Sequence, residues 1–206
     1  MKTVHKIDKA GEELPQGKRR LIQAAIKLSA EYNVNLSTLG VRQLGREAGL
    51  NANTFYRHFK DMEELALAVG QELTAKIMSG MQKVREESRK HADATEGAAE
   101  YFLQEVECNP DVFRMGLREL HGGSAPMRAN LRSVMEDFAR LSVQQIEAGD
   151  LVPGLGRNEI YFASLNITYY MFYRSLDYLD NPDKRDTIKH EIIRFIRIQF
   201  LGSAID

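Results

Sequence analysis

The chain contains no tryptophan, one cysteine and five prolines in 206 residues. A single cysteine, Cys108, cannot form an internal disulfide, so a disulfide-stabilised extracellular fold is excluded and the cytoplasm is the expected compartment. The longest apolar stretch, residues 160–173, is interrupted by polar residues and is shorter than the roughly 20 residues that a membrane-spanning helix needs. The first residues are polar and contain no apolar segment typical of a secretory signal. We therefore expect neither an integral membrane protein nor a secreted one.

Residue patterns typical of catalysis or metal binding are also missing. The five histidines are scattered, without an HExxH or cysteine-rich pattern, so no metal site is expected. Gly154 and Gly156 have neither the later glycine nor the preceding strand of a dinucleotide-binding motif, and no cofactor is predicted. No Ser/His/Asp or paired-carboxylate arrangement predicts a catalytic residue. Cys108 is interpreted as a buried, inert thiol in preference to a redox sensor.

The distribution of charge is more informative than the net charge of -1. Residues 1–60 contain eleven Lys/Arg and five Asp/Glu, whereas the remainder contains seventeen against twenty-four. A basic N-terminal part on an acidic remainder favours contact with a polyanion, although a solvated basic face would give the same count.

Apolar residues recur at helical spacing throughout, and no segment shows a sustained period of two. The sequence therefore predicts an all-α fold of about nine helices. We expect a mobile arm over residues 1–17, a three-helix domain over 18–61 and a second helical domain over 62–206, with the last two helices at about 158–179 and 183–201.

A helix-turn-helix is predicted within residues 18–61. A short helix over 41–48 is ended by Gly49, which suits a left-handed position, and Asn51 is placed to cap the next helix. On that helix Phe55 and Phe59 face the core, and Tyr56 lies at its boundary. The remaining polar side chains are expected to point outward, as a recognition helix requires: Asn51, Asn53, Thr54, Arg57 and His58.

The segments 41–50, 53–59 and 63–65 together resemble the TetR-family DNA-binding signature. The resemblance implies that Tyr56 and His58 contact phosphates and that Arg42 makes a groove or phosphate contact. For Arg57, direct readout and a solvated charge near DNA are equally open. The start of the recognition helix would face the DNA backbone and base edges: Asn51, Ala52, Asn53 and Thr54.

Two positions depart from the family pattern. Gly40 stands where Thr or Ser usually caps the second helix, so one possible phosphate hydroxyl is missing. Met62 stands where a lysine is frequent, and Lys60 is the candidate to supply that charge to the DNA backbone.

The last two helices are apolar around most of their circumference, so one side of each needs a covering partner. The TetR resemblance implies a homodimer in which these helices form a four-helix bundle, and a two-fold dimer suits paired DNA half-sites. A monomer with two ordinary core helices is the alternative. The predicted dimer contacts are Tyr169, Tyr173, Ile188, Ile192, Phe195 and Ile196.

The middle helices carry the candidate ligand site. Residues 109–120, Gly123 and Ser124, together with the recognition helix, resemble the TetR branch that represses unsaturated fatty-acid synthesis and senses long-chain acyl-CoA. The resemblance implies an apolar tunnel, with Arg114, Arg118 or Arg128 at an anionic head group; salt bridges to Glu119 or Asp111 are the alternative for these arginines. The predicted lining residues, each of which plain core packing would also explain, are Phe102, Phe113, Leu117, Arg118, Phe138, Met171 and Phe172.

The leading hypothesis is thus a ligand-controlled repressor that binds operator DNA and is not an enzyme. An all-α lipid-binding or enzymatic protein without specific DNA binding is the competing interpretation, and activation in place of repression stays open. An enzyme has no evident use for exposed polar residues on a short helix, which favours the regulator.

Overall fold

A computed structural model describes residues 14–72, 94–122 and 124–202. These ranges contain α-helices and two short 3-10 helices, and no strand is found within them. The predicted all-α fold is therefore confirmed. Most of the predicted arm, residues 1–13, lies outside the described residues.

The N-terminal part, residues 14–72, is called the head. Helix α1 spans Gln16–Tyr32 and is followed by a 3-10 turn at Leu36–Thr38, α2 at Val41–Glu47, α3 at Ala52–His58 and α4 over residues 62–72. Helix α1 begins slightly before the predicted Lys18, because the carbonyl of Pro15 already accepts from Arg19 N–H at 3.1 Å. Asn33 ends α1 in the left-handed region, with φ 53°.

The described residues from 94 onward are called the body. They form α5 at Ala94–Cys108, α6 at Pro110–Gly122, α7 at Ala125–Gly149, α8 at Arg157–Asp180, a 3-10 turn at Pro182–Lys184 and α9 at Arg185–Gly202. Ser124 caps α7 by accepting from Met127 N–H at 3.3 Å. The predicted loop at Gly149 starts at Asp150, which adopts φ 48°.

Two apolar cores result. The head core gathers side chains of α1, α2, α3 and α4, and Met115 of α6 and Met127 of α7 complete it. Leu65, Ala66 and Val69 of α4 belong to this core, although the sequence assigns them to the second domain. The body core gathers α5, α6, α7, α8 and α9. The position of the domain boundary stays a prediction.

Other features bear on what the molecule can do. Cys108 is exposed at the end of α5, which corrects the prediction of a buried thiol, because it lies on the outward side of the last helical turn. Within the described residues no group of three or more acidic, histidine or cysteine side chains is placed to bind a metal ion. In the same part of the chain, no helix is both long and apolar enough to traverse a bilayer.

Candidate functional site

The turn between α2 and α3 has the backbone geometry of a helix-turn-helix. Gly49 adopts φ 61°, as predicted, and a side chain there would be strained. Leu50 N–H donates to the carbonyl of Gly45 at 2.7 Å. A Cβ at Gly45 would lie 2.9 Å from the Leu50 carbonyl oxygen, so the glycine in α2 lets the backbone of the turn approach that helix closely.

Asn51 caps α3 as predicted, and the cap involves more residues than the sequence indicates. Its Oδ1 accepts from the N–H and from the Oγ1 of Thr54, both at 2.9 Å. Arg57 then donates to Thr54 Oγ1 at 3.1 Å. Thr54 is 6% exposed, so the prediction that its side chain points outward is wrong. Its hydroxyl is used to hold Asn51 and Arg57 in place, because it lies beneath the first turn of α3.

The inner face of α3 anchors the helix in the head core. Phe55 and Phe59 are buried, and their ring centroids lie 5.7 Å apart. Lys18 places its ammonium 5.6 Å from the centroid of Phe59, a cation–π contact that ties α1 to the end of α3. Tyr56 packs edge-on against Phe55 and remains 63% exposed, so its hydroxyl is free to meet a phosphate.

His58 is half-buried against the beginning of α1. A Cβ at Gly17 would lie 2.6 Å from His58 Nε2, so a larger residue at position 17 would require the imidazole to move. Burial lowers the pKa of His58 below 6.5, and the positive charges of Arg57 and Lys18 act in the same direction. The surroundings of His58 in the free protein therefore favour the neutral imidazole.

The remaining predicted DNA contacts surround α3. Arg42, Asn53 and Lys60 are exposed, and Ala52 is half-buried. Met62 packs against the head core, which leaves Lys60 as the candidate charge at this edge. Among the described residues, nothing lies within 4 Å of a Cβ built at Gly40, so this part of the structure leaves room for a side chain before α2. The contacts of these residues with DNA stay predictions.

The predicted ligand residues are distributed over two places in the body. Phe113 lies between Phe102 and Phe172, with centroid distances of 5.8 Å and 6.0 Å. Leu117 is buried in the same body core, and Met171 packs against it. Phe138 is buried on α7 but is not part of this cluster of described residues. The aromatic group around Phe113 therefore stays the candidate ligand site.

Arg118 does not face that cluster. Its guanidinium donates to Ser29 O at 2.9 Å and to Val34 O at 3.2 Å, and it also bonds to Asn33 Oδ1. The prediction that Arg118 lines the ligand site is therefore corrected: helical spacing turns this residue toward the head, where the last carbonyls of α1 need donors. Arg114 donates to the carbonyl of Leu179 at 3.1 Å.

The predicted dimer residues separate into covered and exposed groups. Ile188, Ile192 and Ile196 are buried in the core of their own chain, so they cannot contact a second copy directly. Phe195 stacks on Tyr170 with centroids 3.9 Å apart and stays partly exposed, as does Tyr169. Tyr173 is 44% exposed and its hydroxyl lies 2.5 Å from His121 Nε2.

Several relevant residues escape sequence reasoning. The exposed apolar positions on α8 and α9 are Phe162, Ile198 and Leu201, which an all-round apolar pattern cannot distinguish from their buried neighbours. Glu119 is 1% exposed and accepts from Leu36 N–H at 2.5 Å. Asn35 donates from Nδ2 to the carbonyl of Gly122 at 2.7 Å. A charged residue buried between two domains leaves no periodic signal.

Comparison with known proteins agrees with this geometry. Residues 21–69 match the family described as bacterial regulatory proteins, tetR family. The fatty acid degradation regulator FadR from Bacillus halodurans superposes with a TM-score of 0.71 at 14% identity, covering 93% of this chain and 98% of that one. FadR from Bacillus subtilis, in complex with stearoyl-CoA, gives a TM-score of 0.63 at 17% identity over 91% and 99% of the two chains. A transcriptional regulator from Rhodococcus sp. Rha1 gives 0.69 at 16% identity over 92% and 98%.

At these identities the neighbours establish the fold, and the family match establishes the nature of the head. The match does not support the competing interpretation of an enzyme or lipid-binding protein whose head only mimics a DNA-binding domain. The head of this chain is a DNA-binding domain of the TetR family, carried on a body with the fold of the regulators named above.

Proposed function

We propose that the chain is a dimeric, ligand-controlled repressor that binds operator DNA through α2 and α3 and senses a long-chain acyl-CoA. The observation that carries the DNA-binding part is the outer face of α3, where Tyr56 and Asn53 are exposed while Phe55 and Phe59 hold the helix from behind. A short helix fixed in this way can enter a major groove about 12 Å wide. A cytoplasmic location, where operator DNA is accessible, is part of the proposal.

Selection of duplexes from a random pool, followed by competition against bulk DNA, tests this part. Affinity should fall steeply with salt, since several phosphates release counterions on binding. Tyr56→Phe should weaken operator binding by about 1 kcal/mol through loss of one phosphate hydrogen bond. Tyr32→Phe is the matched control, because Tyr32 is 55% exposed at the far end of α1. If the protein prefers no duplex over bulk DNA, the proposed operator-binding function is wrong.

The exposed face of α8 and α9 supports a homodimer. Three pairs cross between the helices in matching four-residue steps: Asn166 with Gln199, Tyr170 with Phe195, and Arg174 with Glu191. Exposed apolar side chains accompany these pairs, namely Phe162 at 63%, Tyr173 at 44%, Ile198 at 50% and Leu201 at 69%. Large exposed apolar side chains clustered on a pair of helices are typical of an interaction site. A second copy related by a two-fold axis would cover it and present two copies of α3 to DNA.

Sedimentation of two charge variants tests the dimer. Phe162→Asp and Ile198→Asp should each shift the protein toward monomer, because a charge would be buried in the interface. Leu151→Asp is the control, since Leu151 is 54% exposed but lies in the loop after α7. Dimers that survive both interface variants would exclude this surface.

The acyl-CoA part of the proposal rests on the aromatic cluster of Phe102, Phe113 and Phe172, on the sequence resemblance, and on the stearoyl-CoA held by the Bacillus subtilis neighbour. Titration with palmitoyl-CoA and oleoyl-CoA should raise the melting temperature by mass action and change operator affinity. Separate titrations with free coenzyme A and free oleate distinguish the contribution of the coenzyme A group from that of the fatty acyl group. Absence of any thermal shift with acyl-CoA removes the lipid-sensing part and leaves DNA binding standing.

A further inference from the structure

The side chain of Arg57 is held by a chain of hydrogen bonds that starts at the cap of α3. Asn51 Oδ1 accepts from the N–H of Thr54, which fixes the orientation of the cap. The Thr54 hydroxyl donates its one hydrogen to the same oxygen, so toward Arg57 it can act only as an acceptor. Arg57 Nη2 supplies the matching donor at 3.1 Å. Each donor and acceptor in this chain therefore has one assigned role.

This chain of hydrogen bonds draws the guanidinium back toward the first turn of α3. Arg57 belongs to the last turn of the helix, and long side chains of a helix lean toward its beginning. Asn53, four residues earlier, is exposed on the same side of the helix. Thr54 is buried, so it supports Arg57 and has almost no surface for a contact of its own with DNA.

The guanidinium keeps most of its donors for a ligand. An arginine carries several N–H donors in a flat fork and no acceptor, and the bond to Thr54 uses one of them. Arg57 is exposed, and its bond to Thr54 is not accompanied by an ion pair with any described carboxylate. Arg140 on α7, by contrast, is exposed but pairs with Glu136 and Asp137. The charge of Arg57 is thus oriented by the head without being neutralised by it.

The chemistry of an oriented guanidinium suits one base in particular. Guanine presents two neighbouring acceptors, N7 and O6, in the major groove, and a fork of two N–H donors matches them. Adenine and cytosine present an amino donor there, which a side chain without acceptors cannot use. Phosphates lie at the margins of the groove, whereas the residues that begin a recognition helix contact base edges. Because Thr54 already restrains Arg57, less rotamer freedom is lost on binding.

From these contacts we propose that Arg57 reads a guanine in the operator half-site and that Thr54 is the positioning residue that fixes Arg57 for this contact. The inference rests on the proposed function and adds to it a base and the two residues that select it.

Selection of duplexes with the full-length wild-type protein supplies the operator for the test. Each guanine is then replaced by 7-deazaguanine, which keeps base pairing and lacks the N7 acceptor, and separately each G·C pair is replaced by A·T. Wild-type affinity should fall at one guanine by about fivefold with 7-deazaguanine and by about tenfold with A·T. For Arg57→Met, which binds the unmodified operator more weakly, either change at that guanine should cost less than about twofold.

Two further variants of arginines in the head separate base reading from charge. Arg57→Lys keeps the charge and loses the fork, so it should lose the preference for guanine while the salt dependence stays that of the wild type. Arg46→Met is the matched control, because Arg46 is exposed in the last turn of α2. It should leave the preference at this guanine unchanged.

Thr54→Val tests the positioning role, since it keeps the shape of the side chain and removes the hydroxyl. Asn51 still accepts from the N–H of residue 54, so the cap is retained. The preference for guanine should fall by about threefold or more, Thr54→Ser should restore it, and Thr54→Val should have no further effect in the Arg57→Met background. Thr54→Ala takes the place of Thr54→Val if circular dichroism shows reduced folding.

A wild-type protein that loses affinity at no single guanine, or loses it equally in Arg57→Met, would overturn the inference. Uniform weakening of all duplexes by Arg57→Met, with a salt slope reduced by about one, would do the same, because a phosphate contact behaves in this way. An unchanged preference in the Thr54 variants would remove the positioning role. In each of these cases operator binding stands, whereas a protein that prefers no duplex removes the proposed function together with the inference.

Discussion

The head and the body are stabilised in different ways. The head uses helices of seven residues, α2 and α3, which are too short to be stable alone and depend on caps, glycine turns and two buried phenylalanines. The body uses helices of 25 and 24 residues, α7 and α8, with ion pairs that connect separate helices. The two short helices of the head therefore depend on a few local contacts, whereas the long helices of the body share their stabilisation among more residues. We therefore expect a core substitution in the head to impair operator binding more than a core substitution in the body does.

The largest expected effect comes from the head core. Phe55 is fully buried, and Phe55→Ala should lower the free energy of unfolding by about 3–5 kcal/mol through lost burial and the cavity left behind. Thermal unfolding by circular dichroism and an operator gel shift measure the two consequences. Operator binding should be abolished while the helical signal of the body persists.

Phe138→Ala in the body is the comparison. Phe138 is 7% exposed on α7, so its truncation should also destabilise the chain. Operator binding should nevertheless survive at temperatures where the protein stays folded. If Phe55→Ala and Phe138→Ala reduce operator binding equally, operator binding does not depend specifically on the head core.

Ion pairs between helices provide the second contrast. Arg185 of α9 bonds Glu100 at 2.7 Å and Glu107 at 2.8 Å on α5. Arg185→Met should cost about 1–2 kcal/mol, because these are charge-assisted bonds but all three side chains are partly solvated. Lys27→Met in the head removes the pair with Glu47, which is exposed enough that stability should match the wild type. Chemical denaturation at pH 7 measures both.

The same cluster predicts a dependence on pH. Hydrogen bonding to Arg185 lowers the pKa of Glu100 from 4.5 to about 2, despite the opposing effect of burial. A carboxyl group whose pKa is lower in the folded state contributes stability that is complete above 4.5 and is lost as the pH falls toward 2. The difference in free energy of unfolding between wild type and Arg185→Met should therefore decrease as the pH is lowered from 4.5 toward 2. If the difference in free energy of unfolding does not change with pH, Arg185 stabilises the fold through packing alone.

Helix caps provide a third contrast, since the same chemistry occurs in both parts. Asn51 caps α3 in the head and Ser124 caps α7 in the body, where its Oγ also donates to Glu63 at 3.1 Å. Each alanine variant should cost about 1 kcal/mol. Only Asn51→Ala should weaken operator binding beyond its effect on folding, because Asn51 and Thr54 together hold Arg57. Matching losses of affinity would argue against that role.

Local rules made the head largely predictable from the sequence. Gly49 in a left-handed position, Asn51 as a cap and Phe55 and Phe59 as anchors all follow from spacing and backbone chemistry within ten residues. Thr54 was predicted on the wrong side because its hydroxyl completes a cap that the pattern of polar residues does not reveal.

The body was predictable only in outline. Helical periodicity places α8 and α9 correctly, but both are apolar on several sides, so the pattern cannot tell covered Ile192 from exposed Ile198. Arg118 and Glu119 form hydrogen bonds with residues about 85 positions away in the sequence. Such contacts depend on how the helices cross. Tertiary packing therefore decides what periodicity leaves open.

The smallest expected effect concerns the one position where the head departs from its family's usual cap. Gly40 precedes α2 in an extended conformation without a side-chain cap, and a Cβ there meets no described residue within 4 Å. Gly40→Ser should therefore fit and should stabilise the chain by about 0.3 kcal/mol, the usual difference between the two residues at this position. If the first turn of α2 lies at a phosphate, the new hydroxyl should also tighten operator binding, and Gly40→Ala should not. Tighter binding by Gly40→Ala as well would mean that backbone stiffening, and not a phosphate contact, accounts for the gain.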